Sequence, residues 1–536
     1  MTELLPERAV DLPDAPARIE VRGDRTPGRV QVLRLGDVVA ETDYDGGDCI
    51  ELGPLPEGGY GVELLRDGEV VARTALDVAG DARRRLRYGF VAAYPPDADG
   101  APIADTVRRL HLTGVQFYDW AYRHASLLGG GQDYLDALGQ PVSLDTVRRY
   151  VRAVQERGAD ALGYAAVYAV GPEEWAAWEH DALLDAAGAP YALGDFLFIV
   201  DPAAPDWLAH LRAELSASVA ELGFGGFHLD QYGYPKRAVR ADGVVVDVAE
   251  SFAALIAGVR EELPGSRLVF NQVNDFPTWR TASSAQDAVY IEPWEPQSTL
   301  GALGATVTRA RLLGDPRPVV MAAYQHVYDS APADAADRAT RLTMATLFSH
   351  GATQLLAGEA DRILVDPYYV RNLVAEPSTA SMLRRWYDFL VEHDELLLDP
   401  ALPEVTAAYA GDYNGDCDVR YAAAAVSEEA VAGKVWRRIT AAGDRLVVHL
   451  VNLVGQPDTL WDAARAPFGD PGAGRLRVRP LRGRVPRIRV ADPDAEGRLI
   501  DVPLHADGDV VVAELPPLEA WQLVLVEFGG DREARP

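Results

Sequence analysis

A chain of 536 residues exceeds what one hydrophobic core supports, so several folding units are expected. Its 48% hydrophobic and 25% charged residues are those of an ordinary globular protein and exclude extended disorder. A formal net charge of −30 repels phosphate backbones and anionic bilayers, so neither nucleic acid nor membrane is expected as a partner, while a neutral ligand is indifferent to it.

Lysine occurs only at Lys236 and Lys434, with arginine in its place, which reads as a compositional habit rather than as chemistry. Cys49 and Cys417 stand far apart, with neither zinc spacing nor a disulfide framework. The opening stretch MTELLPERAVDLPDAPARIE lacks a basic segment followed by an apolar one, and no run approaches a membrane span. A soluble, cytoplasmic protein is the expectation, or a secreted one if a leader has been removed. Oligomeric state is left open.

Residues 1–84 read as short alternating strands, with Asp67-Gly68 as a hairpin turn, and predict an N-terminal immunoglobulin-like β-sandwich. From residue 85 to 398, apolar strand runs alternate with amphipathic helices. Eight strand candidates follow in order: YGFVAAY, GVQFYDW, ALGYAAVYA, GFHLDQ, RLVFNQV, AVYIEPW, VVMAAYQ and TQLLAGE. That pattern predicts a closed (β/α)8 TIM barrel. Two intervening helices are predicted to start at Ser143, as a cap, and at Asp206. A long insertion between the third and fourth strands, containing WAAWEH and FLFIVDP, is expected to face substrate, with Trp175 and Trp178 either stacking on sugar or packing on the barrel. Residues 399–536 return to alternating strands and predict a C-terminal β-sandwich. The expected protein is thus multidomain, a central TIM barrel flanked by two antiparallel β-sandwich domains.

Catalytic groups of such barrels sit where strands end. The fourth candidate ends in His228-Leu229-Asp230-Gln231, the fifth in Asn271-Gln272 and the sixth in Glu292-Pro293-Trp294. Alternation puts His228 and Asp230 on one face, and Tyr290, Glu292 and Trp294 on one face. Several polar strand ends together are costly to bury unless something uses them. Two carboxylates in a ring of Tyr, Trp, His, Asn and Gln, without metal-ligand spacing, are the equipment for cleaving a glycosidic bond. One carboxylate attacks or stabilises the anomeric carbon while the other protonates the leaving oxygen, and aromatic faces carry the sugar rings. The chain contains no GxSxG elbow, P-loop or strand-linked GxGxxG. The run Asp412–Asp418 resembles the start of a calcium loop, but it lacks the Gly and Glu that loop requires and reads as an acidic turn. Neither metal nor cofactor is expected.

At these residues the barrel resembles glycoside hydrolase family 66, the dextranases and cycloisomaltooligosaccharide glucanotransferases. The similar segments are GVQFYDWAYRH at 114–124, YAAVYA at 164–169, IVDP at 199–202, GFHLDQYG at 226–233, VYIEPW at 289–294 and GEADRILVDPYY at 358–369. The resemblance implies retaining, endo-acting cleavage of α-1,6-glucosidic linkages in dextran or isomaltooligosaccharides. It implies Asp230 as nucleophile, Glu292 as acid/base, and Gln116, Tyr118, Asp119, His124, Asp201, His228, Asn271 and Trp294 along the subsites. Gln231 joins these as a strand-end donor, and His228 or Gln231 is expected to keep Asp230 ionised. The cyclising members carry a carbohydrate-binding module inserted in the barrel, and the short spacing between the seventh and eighth strands leaves no room for one, so hydrolysis is favoured. Transglycosylation, another α-glucan as substrate, and non-catalytic sugar binding are the alternatives.

Overall fold

The computed structural model describes residues 2–411, 413–480 and 485–529. At the N-terminus, strands Thr2–Pro6, Ala17–Gly23 and Cys49–Leu52 form one antiparallel sheet, and Gly28–Arg34, Asp37–Tyr44, Gly58–Arg66 and Glu69–Val78 form a second. Ile19, Val21, Val30, Val32, Val62, Leu64 and Leu76 fill the space between them. Arg66 pairs with Glu69 across Asp67-Gly68, and both turn residues have positive φ, 52° and 85°, as a two-residue hairpin loop demands.

The barrel follows as eight strands: β1 (Tyr88–Val91), β2 (Gly114–Phe117), β3 (Asp160–Ala166), β4 (Gly226–Asp230), β5 (Arg267–Asn271), β6 (Ala288–Ile291), β7 (Val319–Met321) and β8 (Ala352–Gln354). Six lie within the segments read from the sequence, β3 and β8 each begin one residue before theirs, and every neighbouring pair is parallel. Strands covered on both faces become apolar runs, which is why they were visible. The ring closes just beyond β8, where Glu359 donates its N–H to Phe90 O at 2.8 Å. A Cβ at Gly358 would meet Phe90 O at 2.1 Å, so only glycine lets the seam close.

Alternation sorts the barrel side chains into two layers. Val115, Phe117, Phe227, Leu229, Leu268, Phe270, Val289 and Ile291 face the helices. Tyr88, Phe90, Leu162, Tyr164, Val269, Tyr290, Val320 and Tyr324 face the axis. His228, Asp230, Asn271 and Glu292 share the inward register of that second group.

Two expected helix starts need correction. Ser143 holds the N-cap position of Leu144–Gln155, but its side chain makes no capping bond, and Asp145 supplies the favourable charge in the first turn. The other helix begins at Pro205 rather than Asp206, because proline's fixed φ suits the first helical position, and it ends at Gly223 with φ 78°.

The insertion after β3 folds into short antiparallel ladders, including Ala169–Val170 against Leu197–Ile199. Leu193, Phe196 and Leu197 from this insertion border the central cleft. Trp175 and Trp178 do not. They pack with Val170, Val200, Ala204 and Trp207, Trp178 meeting Trp207 edge-on at 5.0 Å, so packing is the role the fold gives them.

The C-terminal strands form a six-stranded sheet centred on Arg445–Asn452 and Trp521–Glu527 and a four-stranded sheet centred on Gly474–Val478 and Val510–Leu515. Asp412 lies outside the described residues. Asp416 and Asp418 of the same acidic run accept from Arg479 and Arg420, each at 2.8 Å. Among the described residues no helix is long and apolar enough to cross a membrane.

Candidate active site

The strands' C-terminal ends open into a cleft of about 220 Å³. Asp230 ends β4 there, opposite Ala166 in register, and Asn271 ends β5 opposite Tyr290. Glu292 follows β6 and is only 7% exposed. Asn271 joins the two carboxylates, its Nδ2 donating to Asp230 Oδ1 at 2.7 Å and to Glu292 Oε2 at 2.9 Å. A planar amide nitrogen carries two hydrogens about 120° apart, which sets these two oxygens roughly 5 Å from each other. The second Asp230 oxygen accepts from Tyr164 Oη at 2.8 Å.

Burial raises both carboxyl groups, by different amounts. Asp230 is pushed up to about 6 by desolvation, while hydrogen bonds from Asn271, Tyr164 and the Gln231 backbone pull it back. Glu292 reaches about 8, through desolvation and then the negative charge of Asp230. Between these values one carboxylate is ionised and the other holds its proton, so the pair can offer a nucleophile and an acid together.

Aromatic rings make the floor and walls. His228 stacks between Tyr88 and Tyr164, with centroids at 5.9 and 6.2 Å, and its Nδ1 faces Tyr88 Oη at 3.2 Å. Burial lowers its pKa to about 3, so it is a neutral ring. Tyr118 stacks on Tyr369 at 4.3 Å. The Tyr369 hydroxyl lies 3.3 Å from those of Tyr290 and Tyr324 and reaches Gln116 Oε1 at 3.5 Å. Asp119 enters from a left-handed backbone, φ 45°, with its pKa raised to about 8 by burial and by Asp136 and Asp230. His124 is lowered to about 4 by burial and Arg123. Trp294 forms the rim, half-buried, 6.2 Å from Tyr324.

Ten of the eleven residues singled out from sequence border this cleft, and Asp201 does not. Its carboxylate caps Ala203 N–H at 3.1 Å and faces Arg240 at 3.4 Å, since the short strand before it turns that side chain into the insertion. The Gln231 side chain is tied to backbone carbonyls. Its amide donates to Asn271 O and Phe276 O, both at 3.0 Å, because alternation places it on the face opposite Asp230. The ionised form of Asp230 is therefore supported by Tyr164 and Asn271 and not by the side chains of His228 or Gln231. The sequence reading missed Tyr164, Tyr232, Tyr234, Tyr324 and Tyr369, all on the cleft wall. The inward register of Tyr164, two residues before the strand's end, was the available signal for the first of them.

Residues 55–525 match the family model for glycosyl hydrolase family 66. The chain belongs to this family. A curated family 66 relative, the cycloisomaltooligosaccharide glucanotransferase of Niallia circulans, is 25% identical over 287 residues, which is 48% of this chain and 29% of the relative. The chain thus aligns with under a third of that relative's length. Among solved structures, a Paenibacillus sp. cycloisomaltooligosaccharide glucanotransferase complexed with cycloisomaltoheptaose superposes with a TM-score of 0.86 at 18% identity, covering 98% of this chain and 100% of the other. The α-L-fucosidase isoenzyme 2 of Paenibacillus thiaminolyticus reaches 0.56 at 10% identity, covering 83% and 100%. At these identities the superpositions show the fold alone.

Proposed function

We propose that this family 66 chain is a retaining, endo-acting hydrolase of α-1,6-glucosidic linkages in dextran or isomaltooligosaccharides. Asp230 attacks the anomeric carbon as the bond to the leaving oxygen breaks, and that oxygen takes the proton held by Glu292. Glu292, now a carboxylate, then removes a proton from water, which attacks the same carbon and frees Asp230. The observation that carries this reading is the Asn271 bridge, whose one nitrogen bonds both carboxyl groups and so supports a close spacing of the kind a covalent glycosyl intermediate needs. The higher pKa on Glu292 supports its role as acid. The isomalto-type linkage is drawn from the relatives' names.

A second reading, transfer of the glycosyl group to a sugar hydroxyl in place of water, is favoured by those same names. Hydrolysis is preferred here because β7 and β8 are joined only by residues 322–351, with Val327–Ser330 and Ala333–His350 as the helices and no inserted module. The deciding experiment is a panel of α-1,6, α-1,4 and α-1,3 oligosaccharides with product sizing and NMR of the newly formed anomer. Linear products of α-1,6 substrates with the α-configuration are expected. An inverted anomer, or turnover confined to another linkage, would overturn the proposal.

A further inference from the structure

Beyond the carboxylate pair, the rim next to Glu292 is built from barrel loops and a stretch of the C-terminal region. Trp294 stands on the loop after β6, and it lines the cleft together with Tyr324 and Glu292. Two residues after Tyr324, at the end of the segment following β7, His326 brings its ring to 6.4 Å from Trp294. Both loops are pinned by the C-terminal stretch 459–462. Leu300 N–H donates to Thr459 O at 2.8 Å, and Trp461 Nε1 donates to Gln297 O at 2.7 Å, fixing the loop that carries Trp294. Asp462 takes Val327 N–H on one oxygen and His326 Nδ1 on the other, both at 2.9 Å.

This pairing leaves one face of the imidazole in water. The His326 side chain is 46% exposed although one nitrogen is fixed, and Nε2 has no hydrogen-bond partner among the described residues. A surface histidine needs no such clamp. A ring fixed at one nitrogen, beside a half-buried tryptophan at the mouth of a sugar-cleaving cleft, presents an apolar face and a directed polar atom, the pair of features that sugar recognition uses. Its position fixes which sugar. In the proposed mechanism the acid lies against the departing oxygen, so the wall next to Glu292 faces the leaving-group side of the scissile bond, and Tyr164 with Asp230 faces the other.

We propose that Trp294 and His326, oriented by Asp462 from the C-terminal sandwich, form the subsite for the leaving-group sugar, with His326 Nε2 hydrogen-bonding one of its hydroxyls. The inference rests on the functional reading above and adds a specificity residue, His326, and a positioning residue, Asp462. The test compares isomaltopentaose, whose leaving group is a sugar, with isomaltotriosyl fluoride, whose leaving group is not. Wild-type turnover of both is measured first, and its absence overturns the functional reading and this subsite with it. The ratio of kcat/KM on the pentaose to that on the fluoride is expected to fall roughly fivefold in His326→Ala, the worth of one ordinary hydrogen bond. It should fall in the same direction in Asp462→Ala and recover in part in His326→Gln. An unchanged ratio in His326→Ala and Asp462→Ala, with the wild type active on both substrates, overturns the subsite alone.

Discussion

Asn274 donates its backbone N–H to the carbonyl of Glu292 at 2.8 Å, and does so from a left-handed conformation with φ 52°. Its side chain extends the grip, Oδ1 accepting from Trp294 N–H at 3.2 Å and Nδ2 donating to Glu295 O at 2.8 Å. Asparagine is among the few residues that tolerate this backbone at low cost. Replacing it with alanine removes two of the three bonds and adds strain where the proposed acid is carried. Asn274→Ala should lower kcat on unactivated glucan about tenfold, through misplacement of the proton donor. The fall on a glycosyl fluoride, whose departure needs no proton, should be smaller. Parallel kinetics on the two substrates check this, and equal falls would mean that Asn274 does not act through Glu292.

The two carboxyl environments set a pH window. Activity needs Asp230 ionised and Glu292 protonated, so kcat/KM should rise with pH through about 6 and fall through about 8, these limbs belonging to the pair. Stability follows the direction of the Glu292 limb. Glu292 has a folded pKa above its unfolded value, so its contribution is complete below the unfolded value of 4.5 and is lost as pH rises towards 8. Glu292→Gln, which mimics the protonated form, should gain on the wild type by up to about 1.4 kcal/mol per pH unit across that interval. Denaturant unfolding at pH 5 and pH 8 measures the gain, and a difference that does not grow with pH refutes it.

Loss of each carboxylate should have its own signature. Asp230→Ala should abolish turnover of every substrate, with azide restoring reaction as a glycosyl azide of inverted configuration. Glu292→Gln should spare donors whose leaving group needs no proton. Near-normal activity of Glu292→Gln on unactivated α-glucan is the result that would reverse the assignment.

Trp178 gives the contrasting case. Its ring meets Trp207 at 5.0 Å and His210 at 4.8 Å, away from the cleft. Trp178→Ala should therefore cost on the order of 2–4 kcal/mol of stability and leave KM for long substrates near the wild-type value. A raised KM with unchanged thermal stability would return this residue to the substrate.

The barrel was legible because its strands are covered on both sides and so read as apolar runs, and Asp230 and Glu292 because they break those runs at strand ends. The same alternation, carried one residue further, places Gln231 with Leu229 and not with Asp230, so its amide was never free for substrate. Asp201 was misread for a different reason. It follows a three-residue strand in an irregular insertion, where no long-range pattern fixes direction. Asn274 was beyond the reach of periodicity, since its task depends on a left-handed backbone in a loop. His326 needed a partner 136 residues away before it became more than a polar residue after a strand.

The contacts made by residues 459–462 bear on how far this chain can be divided. Loops at the barrel mouth lean on a carbonyl, an indole N–H and a carboxylate supplied by the C-terminal part of the chain. A barrel excised at residue 398 would leave Leu300, Trp294's loop and His326 without these supports. A chimera with a foreign C-terminal sandwich would keep its catalytic pair and lose the shape of its rim unless the grafted part carried an equivalent of this short stretch. In this fold the modules are separable as cores and inseparable as an active site.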